Sequence, residues 1–580
     1  MSEDLDRAAQ YWGIEPIYFD VRGQRQAVTP GAIGKIATAL SASGQSPAPP
    51  PQPAAPEPAY QGNGSRGWIV AVQLYSLHSR RNWGIGDFTD LAALIETMSA
   101  LGAAGIGLNP LHALFSERPD DASPYAPNSR LFLNPLYIDI EAIPHFPRAY
   151  PREIPAQIGR LRNAELIDYA AVTELKWPAL RVAHRSFREL ATATETGDFD
   201  RFRSERGAEL LRFAAFEVLR RKFQTAWWEW PAQWRHPDDD SLRQLQTDEA
   251  AELEFHQFVQ WVADQQLQAC SLLAKAQGMS VGLYIDLAVG VDASGADAWI
   301  AQDAMLRGLS VGAPPDEYNT AGQDWGLTAF DPHGLVRKNF APLRDMLRAV
   351  MRYAGAIRID HVLGLMRLFV IPYGSKPNDG AYIRFPFEAM LNVIAEESRR
   401  WHCIVIGEDL GTVPEGFRDI MYQWGLWSYL VMLFEREWDG SFKRPQHYRE
   451  NALATFGTHD LPTFSGWISG HDLVAKRAIG VDPGESEEDR ARSRAVLRRA
   501  IGEQGMFSQV VEFLAATPTR LVAIGLEDVL ELRDQVNIPG TVLQHPNWRR
   551  RLPVDVEALR DDQRLREVAA VFQRSGRGAA

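Results

Sequence analysis

Three short stretches carry acids placed as though for chemistry: RIDH (Arg358–His361), GEDLG (Gly407–Gly411) and THD (Thr458–Asp460). Each follows an apolar, β-rich run, so Asp360, Glu408 and Asp460 stand where strands end and loops begin. Glu408 comes 48 positions after Asp360, and Asp460 comes 52 after Glu408, room in each interval for strand, helix and loops. Carboxyl groups can serve as nucleophile, as general acid or base, and as electrostatic partner of a developing cation. A pair held about 5–5.5 Å apart is what a retaining displacement at an acetal carbon requires. Neighbours along one strand face opposite sides and cannot meet in this way, whereas the ends of different strands around one mouth can. Taken singly, such an acid is ordinarily a helix cap or an ion-pair partner. The combination is what points to catalysis.

Local context divides the roles. Arg358 lies two residues before Asp360 on the same strand face, and a fixed guanidinium favours the ionised carboxylate that a nucleophile needs. Glu408 follows the apolar VIG and adjoins Asp409, surroundings that raise a carboxyl pKa and keep an acid catalyst protonated. Asp460, preceded by His459, is placed to hold hydroxyls and to stabilise positive charge in an oxocarbenium-like transition state.

The elements that must position these groups follow from periodicity. Apolar runs recur at Ile69–Tyr75, Gly105–Asn109, Val281–Asp286, Ala356–Asp360, Ile404–Glu408, Tyr429–Glu435, Ala452–Asp460 and Leu521–Glu527. Continuous rather than alternating hydrophobicity predicts parallel strands buried on both faces. Helical stretches such as FAPLRDMLRAVMRYA and AMLNVIAEESRRW lie between many of them. Eight strands with intervening helices predict an α/β chain folded as a (β/α)8 TIM barrel, whose catalytic groups gather at the C-terminal strand ends. The open-sheet alternative loses its nucleotide-binding form because no GxGxxG follows any run.

The remainder divides into three parts. Residues 1–45 read as a small N-terminal helical subdomain, and 46–65 as a linker in which seven of the twelve residues from Pro47 to Pro58 are proline. The catalytic barrel then spans 66–580, interrupted by a mainly helical insertion at about 155–277. Within that insertion Trp227, Trp228, Trp230 and Trp234 could form a glycan platform, but aromatics at helical spacing are more often packing.

Composition limits the partners. The net charge of −13, from 61 Lys and Arg against 74 Asp and Glu, argues against nucleic acid or an anionic membrane and leaves a neutral substrate unaffected. Two cysteines, Cys270 and Cys403, cannot build a disulfide framework or a multi-thiolate metal site, which suits a reducing cytoplasm. The N-terminus, MSEDLDRAAQ, has no signal-peptide pattern, and no apolar run approaches the roughly 20 residues of a membrane span. No metal-ligand cluster emerges, and no cofactor is expected.

Several blocks in order carry a more specific signal: LYSLHSRRNWGIGDFTDL, SPYAPNSRLFLNPLYID, LYIDLAVGVDASGADAW, GAPPDEYNTAGQDWGLTAFDP, GAIRIDHVLGLMRLFVIPYG, VIGEDLGTVP, THDLPT and NIPGT. From about Trp68 to Arg551 the chain resembles the amylomaltases (4-α-glucanotransferases), within the α-amylase-like group of barrel enzymes. The resemblance implies that Asp360 is the nucleophile, Glu408 the general acid/base and Asp460 the transition-state stabiliser. It implies Arg358 and His459 as their neighbours and Asp292 as a further active-site acid. Substrate contacts are implied from Asp316, Gln323 and Trp325 in a loop over the cleft, and from Tyr125, Asp409 and Asn537 in its lining. Within that loop, Glu317–Thr320 departs from the apolar or glycine-containing segment often found in relatives. The implied reaction transfers α-1,4-glucan segments, with maltose, maltodextrins or amylose as donor and acceptor, through a covalent glucosyl–aspartate. An amylase-type hydrolase using the same trio is the nearest alternative, and a non-catalytic glycan-binding barrel a second.

Overall fold

The structure, a computed structural model, describes residues 3–20, 23–42, 44, 46–52, 55–147, 154–315 and 322–578. Asp316 and the divergent Glu317–Thr320 segment lie outside the described residues. Eight parallel strands close into a barrel: β1 (Gly67–Val72), β2 (Gly105–Leu108), β3 (Gly282–Leu287), β4 (Ala356–Ile359), β5 (Ile404–Gly407), β6 (Trp427–Val431), β7 (Ala452–Thr455) and β8 (Leu521–Gly525). All eight apolar runs of the sequence appear as barrel strands. Nearly every strand residue is buried, as continuous apolar sequence requires when helices cover the outside and side chains fill the inside. Several ends differ from the sequence reading; the first run, for example, starts at Gly67 and leaves the strand at Val72. The sixth run starts two residues earlier, at Trp427, and turns into a 3-10 helix at Met432–Phe434. The seventh leaves the ladder at Thr455, whose hydroxyl donates to the Gly457 carbonyl, and the loop beyond it carries His459 and Asp460.

Register aligns the strand ends. Ile359 of β4 pairs with Gly407 of β5, so Asp360 and Glu408 are the next residues in step on adjacent strands. On the other side of β4, Arg358 pairs with Asp286 of β3. Gly407 is the last β5 residue for a steric reason. A Cβ there would come 2.7 Å from the Met421 side chain and 2.9 Å from that of Val362, so glycine lets the turn after Asp360 pack directly on the base of Glu408.

A second sheet flanks the mouth. Five antiparallel strands run in the order Ala381–Arg384, Arg367–Pro372, Leu309–Ala313, Gln323–Thr328 and Val291–Asp292, drawn from the connections after β3 and β4. The N-terminal helices Glu3–Trp12 and Pro30–Ser41 pack on this sheet, sharing a core of Ile14, Ile33 and Ile36 with Leu309, Val370 and Ile383. Backbone bonds from Glu15 to Tyr382 (2.8 Å) and from Arg384 to Gly13 (2.9 Å) complete the joint. The end of the proline-rich stretch runs along the barrel, where Arg399 donates to the Glu57 carbonyl and Ala59 to that of Trp424.

Between β2 and β3, helices Ile154–Arg162, Tyr169–Leu190, Ala193–Phe223, Asp239–Asp248 and Ala250–Ala276 pack beside the barrel. Trp230 (1% exposed) and Trp234 (9%) are packing residues, with Trp230 against Phe216 and Trp299. Among the described residues no helix is long and apolar enough to cross a membrane.

Candidate active site

The mouth of the barrel is organised around one guanidinium. Arg358 is 94% buried, and its Nη1 donates to both Asp286 oxygens (2.9 and 2.7 Å) while pairing with Asp360 Oδ1 at 2.9 Å. The strand register above explains this: the paired positions 286 and 358 point to the same side, and Asp360 lies two residues further on. Glu408 is held by backbone. Its Oε2 accepts from the His361 amide and its Oε1 from the Leu410 amide, each at 2.9 Å. One carboxyl therefore sits against the amide that immediately follows the other. His361 adopts φ 49°, a left-handed conformation costly for a non-glycine residue, and this turns its amide onto Glu408.

The third acid comes from the loop after β7. Asp460 Oδ1 accepts from the Asn537 side chain (2.6 Å), its Oδ2 lies 3.4 Å from His459 Nε2, and the carboxylate keeps an open face (45% exposed). His459 stacks on Tyr125 at 4.7 Å, and its Nδ1 lies 3.3 Å from the tyrosine oxygen. That oxygen gives its own proton to Asp286 at 2.5 Å, so it accepts from His459 Nδ1–H. Nε2 faces the Asp460 carboxylate, so the arrangement favours a proton on that nitrogen as well. The electrostatics agree. Burial alone would lower the His459 pKa, but the Asp460 charge and hydrogen bond raise it. Burial would raise Asp460, but His459 and the Asn537 bond bring it below the usual carboxylate value.

Asp360 and Glu408 behave differently. Burial raises the Asp360 pKa, and although Arg358 lowers it, Asp286 and Glu408 add to the rise and leave it at about 6. The lone guanidinium is shared with Asp286, so it does not hold Asp360 in the ordinary range that the sequence suggests. Glu408 is also raised, by burial first, against the lowering effect of Arg358 and the two amides. The two interact closely, and the ion pair to Arg358 favours the negative charge on Asp360.

Other residues from the sequence are placed as follows. Trp325, from the flanking sheet, stands edge-on over His361 at 5.4 Å, and its indole N–H donates to Gln323. Asp292 lies on that sheet, bonded to Arg118 (3.0 Å) and Ser294, and the acid beside Arg358 is Asp286. Asp409 does not line the cleft. It is 1% exposed and accepts from Arg418 and from the Tyr429 amide, because consecutive residues at a strand end face opposite sides and its side goes into the wall. Asp286 carried a legible signal, since the third apolar run also ends in an acid, but only strand pairing shows that it faces Arg358. A cavity at this network is lined by Tyr125, Asp286, Arg358, His459 and Glu527, among others.

A closed parallel barrel that gathers three such acids and one guanidinium at its C-terminal mouth belongs to the class of barrel enzymes acting on glycosidic bonds. Comparison with known proteins narrows this. The model of the 4-alpha-glucanotransferase family matches residues 72–556, and the chain belongs to that family. It is 37% identical over 524 residues to the 4-alpha-glucanotransferase of Mycobacterium tuberculosis, covering 84% of this chain and 71% of the relative. Identity to the Haemophilus influenzae 4-alpha-glucanotransferase is 36% over 526 residues, 84% of this chain and 75% of that one. Amylomaltase from Corynebacterium glutamicum superposes with a TM-score of 0.86 at 27% identity, covering 98% of this chain and 99% of its own. The chain is thus a glycosyl-transferring enzyme of the α-amylase-like superfamily.

Proposed function

We propose that this family member transfers segments of maltodextrins and amylose by double displacement, with Asp360 as nucleophile and Glu408 as acid/base. The observation that carries this is the register-matched pair: Asp360 is ion-paired to Arg358, and Glu408 accepts from the amide following Asp360. An Asp360 carboxylate oxygen bonds to the anomeric carbon as the glycosidic C–O bond breaks, and Glu408 gives its proton to the departing 4-oxygen. The now ionised Glu408 takes the proton from the 4-hydroxyl of an acceptor, whose oxygen displaces Asp360 from the same carbon. Two inversions retain the α configuration. Asp460, fixed by His459 and Asn537, keeps its negative face toward the oxocarbenium-like centre. Tyr125, Gln323 and Trp325 contact the sugars, and Trp325 favours a sugar acceptor over water. Two buried free cysteines support a reducing, cytoplasmic setting.

Incubation with maltotriose tests the reading: glucose plus oligomers longer than the substrate are expected, whereas only shorter products would make the protein a hydrolase. Asp360→Asn is expected to lower turnover by a factor of ~10³ or more without unfolding the protein. Retained activity in that variant removes Asp360 from its role.

A further inference from the structure

The connection from β6 to β7 leaves the barrel on the catalytic face, between the strand that ends at Glu408 and the one whose loop carries Asp460. It folds into a tight hairpin whose walls are well fastened. Arg436 pairs with Phe442 across the hairpin, and its guanidinium lies 3.4 Å from the centre of the Phe442 ring. Phe442 itself is 5% exposed, in the main core. The Glu437 amide donates to Ser441 and the Gly440 amide to Glu437, while the Asp439 carboxylate accepts from the Ser441 amide and hydroxyl. Lys443 pairs with Glu435 and His447 with Glu437 at the base. At the tip of this rigid mount stands Trp438, 98% exposed.

A large ring left entirely in water gains nothing from burial, and nothing in the fold of the hairpin needs it: the turn is made by Asp439, Gly440 and Ser441. An exposed indole on a well-fastened hairpin suits the apolar face of a pyranose. Trp438 is seven residues beyond Val431, the end of β6, so chain reach holds it within about 25 Å of the barrel mouth. A glucan of several units can bridge a distance of that order.

We propose that Trp438 is a distal glucan-stacking position, a determinant of preference for long α-1,4-glucans; this rests on the function proposed above. The reading commits to a glucan rather than a second copy of the chain because the hairpin springs from the barrel end that carries the three acids, and its neighbours are short polar groups.

The test compares kcat/KM of transfer on maltoheptaose and on maltotriose in wild type, W438A and W438F. In W438A the ratio of the long to the short substrate is expected to fall roughly fivefold, mostly through KM, and W438F to recover most of it. An unchanged ratio, or an equal loss on both substrates, overturns the proposal. So does a self-associating wild type that W438A turns monomeric with the ratio unmoved. Should wild type make no longer oligomers from maltotriose, the transferase reading itself fails and the subsite falls with it. Normal transfer with an unmoved ratio removes the subsite alone.

Discussion

Asp286 shows how one side chain sets the acid–base behaviour of the centre. Burial is the main cause that raises the Asp360 pKa; Asp286, which takes two of the hydrogen bonds of Arg358, adds its charge, and Asp360 loses its proton only near pH 6. As the proposed nucleophile, Asp360 must be ionised, and kcat/KM should therefore fall as the pH drops through about 6. In Asp286→Asn the neighbouring charge disappears and Arg358 turns more fully to Asp360; both changes favour the carboxylate. The acid limb is expected to move down by about one pH unit, measured on maltotriose, even as the maximal rate falls. A limb that stays or moves upward would break the link between Asp286 and the nucleophile. At this scale the sequence was only partly legible. RIDH, GEDLG and THD mark the acids, but the facing of Asp286 toward Arg358 and the turning of Asp409 into the wall are properties of strand pairing, which no single stretch contains.

Elements were legible where burial leaves one reading. A strand covered on both faces is apolar throughout, and all eight barrel strands announced themselves in this way. The flanking sheet did not, although RLFVIP and AYIR are apolar enough, because its strands come from two separate connections and meet only in three dimensions. The helical insertion offers a test of how an element is fastened. Glu217, on helix Ala193–Phe223, is 8% exposed and accepts from the Asn128 side chain at 2.7 Å, and Asn128 in turn accepts from the Ala296 amide. Burial, with Glu117 adding, raises the Glu217 pKa from 4.5 to about 8. The sign follows: the unfolded chain ionises this acid from about 4.5 upward while the folded chain resists to about 8, so stability is lost as pH rises between them. Glu217→Gln keeps the acceptor for Asn128 and removes the ionisation. Its stability relative to wild type is expected to improve by about 3 kcal/mol between pH 5 and pH 8 in denaturant titrations. A difference that stays constant with pH, or runs the other way, would show that Glu217 ionises freely in the fold.

At the scale of the whole molecule, two cores meet at the cleft. The barrel seats the three acids on its own strand ends and the loop after β7, while the N-terminal helices and the flanking sheet share a separate core. Trp325 packs against that second core, as do Ala126, next to Tyr125, and Val289, just beyond β3. The N-terminal helices thus support the sheet that carries Trp325. Ile33, on helix Pro30–Ser41, is fully buried there, and Ile33→Ala should cost about 2–5 kcal/mol through lost burial and the cavity left behind. Because the damage falls behind Trp325 and not behind β4 or β5, its catalytic signature differs from that of a loosened barrel. The KM for maltotriose is expected to rise several-fold while kcat falls less than twofold, with a lower Tm. A variant whose kcat collapses at unchanged KM would mean that the N-terminal helices act on the acids themselves, and that the two cores yield as one.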